Sequence, residues 1–103
     1  MKINGFDWDG GNAEKNLIKH GITCQQIEEL FQSSPWVGPD VKHSSLEEER
    51  FLAIGQIDDR YAFVAFSMRM KGKKILIRPI SARFMHLKEI KKYEEEIKKN
   101  DYR

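Results

Sequence analysis

Three apolar segments follow one another in the second half of the chain with almost nothing between them, and that spacing restricts the fold more than any other feature. They run from Arg50 to Ile57, from Tyr61 to Ser67 and from Lys74 to about Ala82. Asp58-Asp59-Arg60 joins the first two, and Met70 to Lys73, with Gly72, joins the second pair. A parallel pair needs a crossover of about a dozen residues or more, so connections this short enforce an antiparallel meander. Pro79 lies inside the third segment and donates no backbone hydrogen bond, so a bulge or an unpaired edge is expected there.

The first half reads differently. Ile3 to Trp8 alternates as a short strand, and Asp9-Gly10-Gly11-Asn12 breaks it. Ala13 to His20 has the pattern of a helix, and Gly21 stands where a left-handed closing residue is favoured. Thr23 and Gln26 have capping-box spacing, with Ile22 and Ile27 as a hydrophobic staple, so a second helix runs from Cys24 to about Gln32. These two form a helical hairpin. Ser33-Ser34-Pro35 closes it, Trp36-Val37 suits a short strand, and Asp40 to Glu48 is a polar loop. At the far end His86 and Glu89 have cap spacing, Met85 and Ile90 staple spacing, and Leu87, Ile90, Tyr93, Glu94 and Ile97 follow a helical period. Asn100 to Arg103 is expected to fray. The expected class is α+β: a small antiparallel sheet, the three-strand meander with short N-terminal strands, packed with an N-terminal helical hairpin and a C-terminal helix.

A chain of 103 residues fits one domain, taken as residues 1–103. Its charged fraction of 33% with a net charge of +2 is that of a folded protein and not of a disordered tail. No apolar run approaches the roughly 20 residues that span a bilayer, and Met1 to Gly10 lacks the pattern of a secretory signal. A single cysteine, Cys24, forms no intrachain disulfide. Together these point to a cytoplasmic setting.

Charge is unevenly spread. Met68 to Arg83 contains Arg69, Lys71, Lys73, Lys74, Arg78 and Arg83 and no acidic residue, so the rest of a +2 chain carries −4. A basic strip on a near-neutral body suits a phosphate-rich partner. The competing reading is a lysine-rich hairpin tip kept soluble by its charges.

Three clusters have side chains suited to chemistry. Lys19-His20 ends the first helix: a histidine exchanges protons near neutral pH and a lysine holds phosphate, or both merely complement the helix dipole. Lys42-His43-Ser44 is followed by Glu47-Glu48-Glu49-Arg50, where a glutamate beside an arginine suits base and phosphate clamp, unless the run is only a solvated loop. Arg78 and Arg83 interrupt an apolar strand, and arginine's planar fork suits bidentate phosphate contact. A buried ion pair with Glu48 or Glu49 is the structural alternative. The histidines are not spaced as a zinc site, and Asp7 and Asp9 beside Trp8 read as capping groups sooner than magnesium ligands. No phosphate-loop or dinucleotide fingerprint is present, so no metal and no cofactor are expected.

The order of these clusters resembles the BrnT family of type II toxins. Phe6-Asp7-Trp8-Asp9 with Asn16-Leu17-Ile18-Lys19-His20-Gly21-Ile22-Thr23 is similar to its first signature. Asp40-Val41-Lys42-His43-Ser44 with Glu49-Arg50-Phe51-Leu52-Ala53-Ile54-Gly55 is similar to its second, and Arg78-Pro79-Ile80-Ser81-Ala82-Arg83 with Glu89 and Tyr93 to its third. Gly10 stands where the family commonly has proline, and Cys24 where it has an aromatic. The resemblance implies a RelE-like fold, metal-independent RNA cleavage, growth inhibition, a BrnA-type antitoxin, and operator DNA bound by the toxin–antitoxin complex. On this reading Lys19, His20, Glu49, Arg50, Arg78 and Arg83 are catalytic, with Glu49 or His20 as base. Lys42, His43, Arg69, Lys71, Lys73 and Lys74 contact the RNA. A degenerate toxin that only docks an antitoxin or nucleic acid, and a plain DNA-binding module, are the rivals.

Overall fold

The computed structural model describes residues 3–12 and 20–100, with side chains to residue 96. Its elements are β1 (Gly5–Phe6), α1 (Cys24–Gln32), β2 (Trp36–Pro39), a 3-10 turn (Val41–His43), β3 (Arg50–Ile57), β4 (Arg60–Lys71), β5 (Lys74–Phe84) and α2 (Leu87–Asn100). The strands form one five-stranded sheet in the order β1-β5-β4-β3-β2. Of the helix expected over Ala13–His20, only His20 is among the described residues, and Asp101 to Arg103 also lie outside them. Among the described residues no helix is long and apolar enough to cross a membrane.

The meander is present and its turns have the expected chemistry. Asp58 and Asp59 both take positive φ, 50° and 65°, which matches the twist of the flanking strands. At the other hairpin Lys71 pairs with Lys74, and Gly72 supplies the positive φ of 62°. Because that turn is so tight, β4 runs on to Lys71 instead of ending at Ser67. The sheet is mixed, not wholly antiparallel. β1 pairs parallel to β5, with Gly5 opposite Leu76 and Phe6 opposite Ile77. No short connection dictates the direction of a strand separated from its partner by most of the chain.

Pro79 produces the expected bulge, and the bulge has a consequence for the site. Register passes from Ala65 opposite Ser81 to Phe66 opposite Pro79, leaving Ile80 without a partner. Side chains alternate faces along a strand, so Arg78 and Arg83, five positions apart, would otherwise project from opposite faces. The extra residue restores their parity. Arg78 then lies opposite Ser67 and Arg83 opposite Phe63, on one face of the sheet.

The other face carries the core. Ile27 and Leu30 of α1 join Ala53, Ile57, Ala62, Val64, Phe66, Ile77 and Ala82, all buried, with Ile22 beneath the helix entrance. The Thr23 capping box is complete: its hydroxyl accepts from Gln26 N at 3.1 Å, and the Gln26 side chain accepts from Thr23 N at 2.8 Å. Phe31 meets Phe66 edge-on at 5.1 Å, and Phe6 meets Phe31 at 5.6 Å. Gly55 allows this close approach, since a Cβ there would stand 2.9 Å from Leu30 Cγ.

The segment from Asp9 to Asn12 does more than break the first strand. It also opens helical backbone at residues 10–12, ahead of the expected start at Ala13. The Asp9 carboxylate accepts from Asn12 N at 3.0 Å, and the Asn12 side-chain oxygen accepts from Asp9 N at 2.7 Å. This is a reciprocal cap built from Asp and Asn. Asn12 also donates to the Pro79 carbonyl at 3.0 Å, tying this turn to the bulge.

Candidate active site

α2 covers only one end of the face opposite α1. Tyr93 meets Tyr61 at 5.5 Å there, above Phe63, Ile54 and Trp36. The Glu89 carboxylate accepts from His86 N at 2.8 Å, the cap that the spacing of these two residues implied. Among the described residues, no helix covers the remainder of the face. A cavity of about 340 Å³ lies on it, lined by His20, Asp40, His43, Arg50, Ser81 and Arg83 among others.

Local structure delivers each of these side chains. His20 immediately precedes Gly21, whose φ of +68° is the left-handed closing conformation expected of it. His43 projects from the 3-10 turn, its Nδ1 3.0 Å from Asp40 Oδ2 and 3.1 Å from Oδ1. That contact orients the ring and turns Nε2 away from Asp40. The loop itself is clamped to β3. Asp40 N donates to the Arg50 carbonyl at 2.8 Å, and Arg50 N donates to Ser44 Oγ at 2.8 Å. Ser44 Oγ donates in turn to the Asp40 carbonyl at 2.8 Å, so its role is structural. This stitching carries Asp40, His43 and Arg50 to the cavity as one unit.

Arg50, Arg78 and Arg83 each have a carboxylate partner, though Arg78 and Arg83 do not take Glu48 or Glu49, the pairing weighed as the structural alternative. Arg83 makes a bidentate pair with Glu89, at 2.9 and 2.7 Å, and its guanidinium stacks 4.7 Å above the Phe63 ring. The Arg83 bond and the His86 N–H hold the Glu89 carboxyl down at about 2, and Glu89 in turn raises the Arg83 pKa. Arg78 pairs with Asp9 at 2.7 Å and approaches Asp7 at 3.6 Å. Backbone and side-chain hydrogen bonds from Asn12 and Arg78 lower the Asp9 pKa. Glu48 instead holds Arg50, at 3.1 Å through Nε. Tertiary packing brings Asp9 and Glu89 nearer to Arg78 and Arg83 than Glu48 or Glu49.

The expected residues therefore divide. His20, His43, Arg50 and Arg83 share one cavity. Arg78 does not line it; it lines a neighbouring cavity of about 450 Å³, to which Arg50 also contributes. Glu49 and Lys42 are exposed and line neither. Arg69 and Lys71 lie further along β4, 3.8 and 3.6 Å from Asp7, and Lys73 and Lys74 are exposed at the hairpin tip. Lys19 lies outside the described residues. Sequence reasoning overlooked Asp40 and Ser67. Asp40 stands three positions before His43 in a turn, a spacing that signals contact; Ser67 carries no such signal.

Two histidines and two arginines lining one cavity are side chains chemically suited to a phosphate ester. Comparison with known families is specific: residues 8–89 match the model of the ribonuclease toxin, BrnT, of type II toxin–antitoxin systems. The match spans most of the chain, and the chain belongs to the BrnT family. A type II system pairs its toxin with a protein antitoxin, so an antitoxin partner follows from membership. No curated protein matches the chain.

Proposed function

We propose that this chain is a toxin that cuts RNA without a metal ion, by attack of a ribose 2′-hydroxyl on the adjoining phosphorus. The observation that carries this reading is the shared cavity of His20, His43, Arg50 and Arg83 in a ribonuclease-toxin family member. His43, oriented by Asp40, takes the 2′-hydroxyl proton as the new oxygen–phosphorus bond forms. His20 gives a proton to the departing 5′ oxygen as the old bond breaks. Arg50 and Arg83 neutralise the charge that builds on the phosphoryl oxygens. The products are a 2′,3′-cyclic phosphate and a 5′-hydroxyl. DNA lacks the attacking group and is spared.

His43 takes the place of Glu49 or His20 as the base, because Glu49 is exposed outside this cavity and His43 has Asp40 to orient it. The reading also includes a RelE-like arrangement of the sheet, neutralisation by a BrnA-type antitoxin, and operator binding through that partner. Purified protein is expected to cleave RNA equally with and without EDTA and to leave cyclic phosphate ends. A strict requirement for Mg²⁺ refutes the mechanism. Expression without the antitoxin gene is expected to arrest growth, and unimpeded growth favours a chain that only binds.

A further inference from the structure

The neighbouring cavity opens on the same face, and its floor is a row across three strands: Arg50 on β3, Ser67 on β4 and Arg78 on β5. Ser67 is 2% exposed, and among the described residues its hydroxyl has no hydrogen-bond partner. A buried hydroxyl left unpaired costs free energy. Held between two guanidinium-bearing residues at the floor of a cavity, it marks a position that a ligand atom completes.

Charge decides the kind of ligand. Glu48 and Asp9 line the same cavity, 3.1 Å from Arg50 Nε and 2.7 Å from Arg78 Nη2 respectively. A phosphate in this cavity would lie against both acids, whereas neither Glu48 nor Glu89 lines the cavity of the histidines. A neutral group that both donates and accepts fits better, and in a nucleic-acid substrate that group is a base. Guanine offers an acceptor pair, O6 and N7, suited to arginine, and beside it N1–H and N2–H donors suited to a carboxylate. Glu48 engages Arg50 only through Nε, and among the described residues Nη1 and Nη2 have no partner. Ile80, the unpaired residue of the bulge, adds a partly exposed apolar side chain to the lining for the ring face.

We propose that this cavity binds a guanine base of the RNA, read by Arg50, Ser67 and Glu48. The proposal rests on the ribonuclease reading and deepens it, because Arg50 lines both cavities. Ser67 and Ala65, one in each cavity, are two residues apart on β4, about 7 Å. The recognised base thus lies within one nucleotide of the diester to be cut.

The test titrates guanosine, adenosine, cytidine and inorganic phosphate separately into the full chain, followed by backbone amide shifts. Guanosine is expected to bind about tenfold or more tighter than the other nucleosides, moving the amides of Arg50, Ser67 and Arg78. Ser67→Ala is expected to weaken guanosine by about threefold to tenfold while its thermal midpoint holds or rises, because an unpaired hydroxyl has been removed. Glu48→Gln is expected to narrow the preference for guanosine. Equal binding of the nucleosides, phosphate moving the same amides more tightly than guanosine, or unchanged binding by Ser67→Ala each overturns the proposal. The readout needs no cleavage. A chain that selects guanosine but leaves RNA intact refutes the ribonuclease reading alone; one that cuts RNA without selecting guanosine refutes the base site alone.

Discussion

Arg83 has two duties that a single substitution confounds. Its guanidinium lines the cavity with the histidines, and it anchors α2 through Glu89. Both Arg83→Ala and Glu89→Gln break the charged pair, but only the first removes the cation from the cavity. Arg83→Ala is expected to lower cleavage by about 10²–10³-fold, the range for losing one transition-state donor. Glu89→Gln is expected to cost far less, with circular dichroism confirming that both variants stay folded. Equal losses would mean that Arg83 acts only by holding the helix. The same pair sets a pH dependence. The Glu89 carboxyl is lowered from 4.5 to about 2, so its stabilising contribution is present above 4.5 and is lost as pH falls toward 2. Denaturation midpoints measured across that window are expected to fall in the native chain and to fall less in Glu89→Gln. Matching slopes would remove Glu89 from the account.

At the scale of elements, the bulge in β5 is the feature on which the site depends. Deleting Ile80 removes the unpaired residue, and Arg78 and Arg83 then cannot share a face without a shift of register. The deletion is expected to abolish cleavage while a cooperative thermal transition persists; retained activity would show that the two arginines need not lie on one face. Gly55→Ala tests the other face, where the added methyl presses on Leu30. A loss of about 1–3 kcal/mol in stability is expected by chemical denaturation. Such local features were legible beforehand because each is written in a few consecutive residues: the hairpins, the Thr23-to-Gln26 box, the Gly21 closure, the break at Pro79. What escaped was set by partners remote in the chain. The parallel pairing of β1 depends on an edge that β5 creates, and Asp9 and Glu89 outcompete the glutamate run only once the sheet is folded. Ser67 was invisible for the same reason: a serine in a strand is unremarkable until arginines on both neighbouring strands stand beside it.

Across the whole molecule, the sheet divides labour between its faces. One is dry, sealed by α1 and the aromatic contacts of Phe6, Phe31 and Phe66. The other carries α2 at one end and the candidate cavity, together with Arg69 and Lys71, which lead toward Lys73 and Lys74 at the hairpin tip. Asp7 lies within 4 Å of Arg69, Lys71 and Arg78, so much of the basic strip is already partly compensated. Lys73 and Lys74, exposed at the tip, have no carboxylate partner among the described residues. If RNA runs along this face from cavity to tip, those two lysines hold phosphates without touching the chemistry. Each phosphate contact on a single strand adds about 0.7 to the slope of log affinity against log salt. A Lys73→Ala, Lys74→Ala double variant is therefore expected to bind RNA more weakly, with the slope reduced by about 1.4. Its single-turnover cleavage rate at saturating RNA should match the native rate. An unchanged salt slope would direct the RNA off the hairpin, and a lowered saturating rate would mean that the tip helps to align the scissile bond.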